Sequence, residues 1–306
     1  MSLQYGGSGL VLYLLLRFLP KREIWNALRQ LPLRLWVLVL IGYLAAHLIG
    51  AAKYRLVLNL GGAGLDVRQA ARCYFAGLFG SLFLPSLVGG DILRIALALR
   101  VTRSKAAVVL GSLVDRITDF SALVILVFVG ALFATGTLDP RSRKILIFVI
   151  CIAFVAAVIG VCIVVLFPVS RLSFRIRRKV VQLRRAGKRI VRQPQAMLRA
   201  LSMSLTVQVV FILLNIQLAE VCGLHLRFGV WLFAWPLAKL CAAVPITQAG
   251  IGIRETALAA LLVPFGAPAA LAVASGFAWD AITVAGAVAG GIFAIVAGGL
   301  WPKRRG

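Results

Sequence analysis

Long apolar runs, rather than alternating or amphipathic stretches, set the pattern of this chain. Leu35–Ala52 is apolar over a length that crosses a bilayer as a helix, and it closes with Lys53 and Arg55, placed to snorkel to the interface. Before it, Gly9–Leu19 is apolar but too short to cross. That run leads through Arg17 into a basic stretch with Lys21, Arg22, Arg29 and Arg34, a pattern that fits an interfacial helix or a truncated first span. A Gly-rich turn, Gly61–Gly64, follows the first crossing. Ala70–Leu99 is broken by Pro85, Gly89, Gly90, Asp91 and Arg94, which predicts two half-helices meeting at depth. Ala106–Ala134 reads as a long helix carrying Asp115, Arg116 and Asp119, and Ile145–Phe167 as an uncharged span. Further on, Leu201–Ala219 spans again, Val230–Val263 is interrupted near Pro245, Gly250 and Gly252, and Ala269–Leu300 closes the series.

Composition agrees with lipid as the main solvent. With 61% hydrophobic residues over a length of 306, the chain has more apolar surface than one soluble core can bury. At roughly 20 residues per crossing, the runs give about six to eight helical elements in one bundle. Lys and Arg number 34 against 9 Asp and Glu, a net charge of +25. On so apolar a chain this excess points to anionic lipid rather than nucleic acid. Eleven of the basic residues fall in 168–200, which holds no acid and reads as a cytoplasmic loop able to collect anionic lipid. The chain thus divides into a short apolar and basic segment, 1–34, a first membrane repeat, 35–167, the basic loop, 168–200, and a second membrane repeat, 201–306.

The word repeat rests on residues. Pro85-(x)3-Gly-Gly-Asp-(x)2-Arg94 recurs loosely as Pro245-(x)4-Gly-x-Gly-x-Arg254-Glu255, and Ala107–Thr118 aligns with Ala272–Thr283, pairing Asp115 with Asp280. Interrupted helices at matched positions of two halves point to a binding site near the bilayer midplane. Lys53, Arg55, Arg68, Arg100, Arg103 and Lys105 flank the first broken segment, whereas the second is flanked only by His225 and Arg227, an asymmetry that favours inverted repeats. The same arrangement puts Lys21–Arg34 outside, against the positive-inside rule. The expected fold is therefore an all-α polytopic membrane protein, a helical bundle of two repeats, each with a broken or re-entrant helix hairpin.

Charge inside the apolar segments supplies the candidate chemistry. Asp91, Asp115, Asp119, Glu220, Glu255 and Asp280 lie in or at the edges of apolar runs. A charge at the centre of a spanning helix costs about 2.5–3.5 kcal/mol on insertion scales, so such residues face a protein interior or a wet pathway. Asp91 with Arg94 and Glu255 with Arg254 are local partners, and Asp115 or Asp119 is expected to meet a cation from the opposite repeat. Glycines 89, 90, 250 and 252 would free backbone N–H groups at helix starts, and Arg94 and Arg254 would add bidentate donors suited to a phosphodiester. The candidate head-group path is thus Gly89, Gly90, Asp91, Arg94, Asp115, Arg116, Gly250, Gly252, Arg254, Glu255 and Asp280. Cys73, Cys151, Cys162, Cys222 and Cys241 show no ligand spacing, and His47 and His225 are too few for a metal site, so neither metal nor cofactor is expected. There is no HExxH, GxSxG or GxxxxGK[ST] string, which argues against an enzyme or an ATP-driven pump.

The strings Ala71-Arg72-x-Tyr74-Phe75-x-Gly77, Leu84-Pro85-Ser86-(x)2-Gly89-Gly90-Asp91-(x)2-Arg94, Asp115-Arg116 and Val244-Pro245-Ile246-(x)3-Gly250-Ile251-Gly252-x-Arg254-Glu255 resemble the lysylphosphatidylglycerol synthase transmembrane-region family. The resemblance covers about residues 33–295, with Thr247-Gln248-Ala249 departing from the commoner Ser-x-Gly pattern. It implies a lipid flippase or scramblase of a bacterial-type cytoplasmic membrane, moving a phospholipid or polyprenyl-phosphate-linked lipid. No aminoacyl-transferring domain accompanies the matched strings, so synthesis of aminoacyl lipid is not expected. The alternative is an accessory subunit for a lipid glycosylation or lipid-modification enzyme. Membrane lipids, anionic ones first, are the expected partners, with such an enzyme and a second copy of the chain as further candidates.

Overall fold

A computed structural model describes residues 21–83, 87–102, 104–134, 187–190, 192–242 and 252–298. The expected elements at Gly9–Leu19 and Ile145–Phe167, the greater part of the basic loop, and Pro85, Pro245 and Gly250 lie outside these residues. Among the described residues the chain is helical: α1 (Lys21–Arg29), α2 (Leu33–Leu60), α3 (Val67–Gly80), α4 (Leu87–Val101), α5 (Lys105–Ala134), α6 (Pro194–Val221), α7 (Phe228–Cys241), α8 (Ile253–Leu262) and α9 (Ala269–Val296). Four of them, α2, α5, α6 and α9, are long and apolar enough to cross a membrane. A 3-10 turn, Val263–Phe265, joins α8 to α9 through Gly266, whose φ is 85°.

Helix ends follow local chemistry. α2 continues past Ala52 because nothing breaks it before Gly61 and Gly62, and Gly62 adopts φ 93°. Lys53 therefore does not leave the helix for the interface: it is buried, drawn inward by carboxylates of α5. Arg55, one turn position away, is exposed and donates from Nε to the Leu65 carbonyl at 3.3 Å. α3 opens with a reciprocal cap in which the Asp66 carboxylate accepts from the Gln69 N–H at 2.7 Å and the Gln69 side chain accepts from the Asp66 N–H at 3.3 Å. The expected break between Ala70 and Leu99 is present, since α3 ends at Gly80 and α4 starts at Leu87. α6 starts at Pro194, inside the stretch the sequence assigns to the loop, because proline is compatible with a first helical turn. Cys73 and Cys222 are buried, whereas Cys241 is exposed at the end of α7.

The element order repeats. A long helix, two short ones and a second long helix occur as α2, α3, α4, α5 and again as α6, α7, α8, α9. Corresponding helices α2 and α6 pack antiparallel, as their contacts show: Gly42 meets Leu214, and Lys53 meets Ser204. The short α3 packs on α9 of the other half, and the short α7 packs on α5, so the halves interlock by exchanging equivalent contacts. Both crossings are antiparallel: Phe75 meets Gly290 and Arg68 meets Ala297, while Gly130 meets Phe233 and Gly229 meets Phe133. In lipid, where apolar burial between helices gains little, small residues that let backbones approach supply the packing. α1 also contributes, inserting Ile24 and Ala27 into the core and packing on α9.

The interior is aromatic. Trp231, Trp235 and Trp279 are fully buried. Phe211 stacks on Tyr43 with ring centroids 5.5 Å apart and meets Trp279 edge-on at 5.5 Å, and Trp279 meets Trp235 at 5.1 Å. The outer face carries exposed Ile41, Leu48, Phe128 and Ile292, as a lipid-facing surface requires.

Candidate functional site

Asp115 and Asp119 share one face of α5 at a spacing of four, and that face meets Lys53 of α2. Lys53 Nζ lies 3.0 Å from Asp115 Oδ1 and 2.5 Å from Asp119 Oδ1. It also donates to Ser204 Oγ at 3.0 Å. From α4, Arg94 donates to Asp115 Oδ2 at 3.0 Å and lies 3.2 Å from Asp91, one turn before it. Arg116 pairs with the same Asp91 and reaches Asp119 at 3.8 Å. The guanidinium of Arg94 sits 4.3 Å from the centre of the Tyr54 ring, adding a cation–π contact. Three cations and three carboxylates thus form one balanced network.

The second network is smaller. Arg254 of α8 pairs with Asp280 of α9 and with its neighbour Glu255, whose Oε1 accepts from Nε at 3.0 Å. The other oxygen of Glu255 accepts from the Gly252 N–H at 2.5 Å, closing the N-terminus of α8. Gly276 admits this carboxylate, because a Cβ there would lie 2.7 Å from Glu255 Cγ. Gly252 has φ 87°, a conformation that favours glycine. Asp280 and Arg254 are the residues that the sequence sets against Asp115 and Arg94. Each aspartate lies about 15 Å from the start of its helix, at 1.5 Å per residue, well inside the apolar run.

Of the residues singled out in the sequence, Asp91, Arg94, Asp115 and Arg116 meet in the first network, and Gly252, Arg254, Glu255 and Asp280 in the second. Gly89 falls in the opening turn of α4. Gly90 serves close packing, since a Cβ on it would lie 2.5 Å from the Gly77 carbonyl of α3. The expected cation from the opposite repeat is not what meets Asp115 and Asp119: both are matched by Lys53, Arg94 and Arg116 of their own half, and the other half contributes Ser204. At the start of α8 the Gly252 N–H is already taken by Glu255. Arg94, 4% exposed, is turned inward between two carboxylates. The sequence pattern sets Lys53 at the interface and gives Lys239 no role, although a lone lysine inside an apolar helix carries the same signal as a lone acid. Lys239 of α7 donates to Gln208 Oε1 at 2.9 Å and lies 4.7 Å over the Phe211 ring.

Exposure separates the two roles charge can play here. Lys53, Asp115 and Glu255 are buried: the pairs of Lys53 and Asp115 join α2, α4 and α5, whereas Glu255 pairs within α8. Arg116, with 42% of its side chain exposed, and Asp119, with 26%, stand at the edge of the network where a polar group can reach them.

Among the described residues, four helices long and apolar enough to cross a membrane, with charge networks packed between the helices, define a polytopic integral membrane protein. The family model for the lysylphosphatidylglycerol synthase TM region matches residues 1–291, and the chain belongs to that family. No curated protein matches it.

Proposed function

We propose that the chain is a lipid translocase of a bacterial-type cytoplasmic membrane, of the flippase or scramblase kind, moving a phospholipid or polyprenyl-phosphate-linked lipid between leaflets rather than modifying it. The observation that carries this reading is the graded exposure of the first ion-pair network: buried pairs behind, and Arg116 and Asp119 at a wettable edge. A head group passing that edge exchanges water for fixed charges, while its chains stay against the apolar outer face. The antiparallel packing of α2 on α6 supports an inverted repeat, which gives the two leaflets equivalent approaches to the edge. The end where α2 stops and α5 starts gathers Arg55, Lys105, Lys188 and Arg189, and we read it as cytoplasmic. No ATP site is needed, since equilibration between leaflets is downhill.

The test is reconstitution into liposomes carrying lipids with a fluorescent head group, with dithionite reporting the outer leaflet. Wild type is expected to equilibrate the leaflets faster than protein-free liposomes. Arg116→Ala is expected to slow this about tenfold, equivalent to ~1.4 kcal/mol in the barrier. Its stability should change by no more than about 1 kcal/mol, because its partly exposed pairs are screened. If no lipid of several head-group classes moves faster than in empty liposomes, the translocase reading fails and the accessory-subunit reading replaces it.

A further inference from the structure

Within the helical bundle, Lys53, Arg94, Arg116 and Arg254 each lie at ion-pair distance from at least one carboxylate. Lys239 has no such partner among the described residues. Its ammonium has three N–H donors, and one of them is taken by the amide oxygen of the buried Gln208. The helix C-terminus favours a cation at this position, since Lys239 is in the last turn of α7, but that field is weaker than a contact ion pair. A half-buried ammonium with spare donors is stabilised by an anion.

The surroundings favour an acceptor-rich group. Phe211, beneath Lys239, packs 5.3 Å from the His47 ring and 5.5 Å from Trp279. Trp279 continues to Trp235, over which Arg254 sits at 5.6 Å from the ring centre. Lys239 and Arg254 therefore border one aromatic cluster from two sides. Trp235 Nε1, a donor only, is buried there with no hydrogen-bond partner among the described residues. Asp119, Arg116 and Arg254 lie within electrostatic reach of Lys239.

We propose that Lys239, seated by Gln208 and Phe211, binds the phosphodiester group of a membrane lipid, whereas Arg94 and Arg254 hold the walls by pairing with carboxylates. A phosphodiester matches because it carries one negative charge and its two non-ester oxygens only accept. The inference rests on the translocase reading for the source of the ligand, but it is a statement about binding and is tested without transport.

The experiment uses the purified full chain in detergent, titrated with dihexanoylphosphatidylglycerol and with dihexanoylglycerol, which lacks the phosphate, while tryptophan fluorescence is followed. Wild type is expected to bind the phosphate-bearing lipid at least about tenfold more tightly. Lys239→Gln is expected to remove that preference and Lys239→Arg to keep it. On wild type, acylation of Lys239 by an amine reagent, read by peptide mass spectrometry, is expected to slow with phosphatidylglycerol and not with dihexanoylglycerol. This second measurement decides the matter where Lys239→Gln fails to fold. A preference absent from wild type, or retained by Lys239→Gln, or an unprotected Lys239, overturns the assignment. Preserved protection together with no lipid movement in liposomes overturns the translocase reading alone.

Discussion

Asp115→Asn is expected to lower the stability of the folded protein by about 3–5 kcal/mol, the cost of breaking a buried pair from one side. The Asp115 carboxylate is 1% exposed and receives two cations, Lys53 at 3.0 Å and Arg94 at 3.0 Å. Asparagine keeps the shape but removes the charge, leaving three cations facing two carboxylates in a medium where water cannot compensate. The partial rescue is as diagnostic as the loss. Adding Lys53→Met to Asp115→Asn restores charge balance around Arg94, Arg116, Asp91 and Asp119, so the double variant should be less destabilised than the sum of the singles by about 0.5–3 kcal/mol. Thermal unfolding of the detergent-solubilised protein, followed by loss of its monodisperse chromatographic peak, reads both effects. An Asp115→Asn variant that melts with wild type would show that the network does not hold α2, α4 and α5 together.

Gly130→Ala should be the most damaging small substitution at a helix crossing. A Cβ on Gly130 would lie 2.5 Å from the Leu232 carbonyl carbon and 2.8 Å from Phe233 Cα, so it meets the backbone of α7 and no rotamer change relieves it. α5 and α7 must then separate, at the upper end of the 1–3 kcal/mol typical of overpacking, about 3 kcal/mol or more. Gly291→Ala is the control. Its Cβ would lie 2.5 Å from Cδ2 of Phe79, a side chain that can turn aside, and about 1 kcal/mol is expected. Side-by-side thermal stabilities check the ordering, and equal losses would mean that the two crossings yield alike.

Much of this was legible in the chain itself. Four of the crossing helices, the end of α3 before Pro85 and of α7 before Pro245, and the membrane family all follow from signals within a few helical turns. Hydropathy, glycine, proline and a lone charge are read one segment at a time, and lipid as solvent makes them decisive, since unpaired backbone and unpaired charge are both costly there.

Partner choice was not legible in the same way. Whether Lys53 snorkels or turns inward depends on the rotation of α2 about its axis and on the distance of its crossing with α5, which Gly111 keeps short by admitting Leu58. Glu255 could have met a head group, but the cap of α8 took it. Lys239 looks like any helix-end lysine until α6 and α7 pack and leave it over Phe211 with no carboxylate at ion-pair distance among the described residues. Sequence determined which residues carry charge into apolar helices, because insertion cost acts on each segment separately. Tertiary structure alone decided which charges neutralise one another and which stay open to a ligand, because that is set by helix rotation and crossing geometry between segments far apart in the chain.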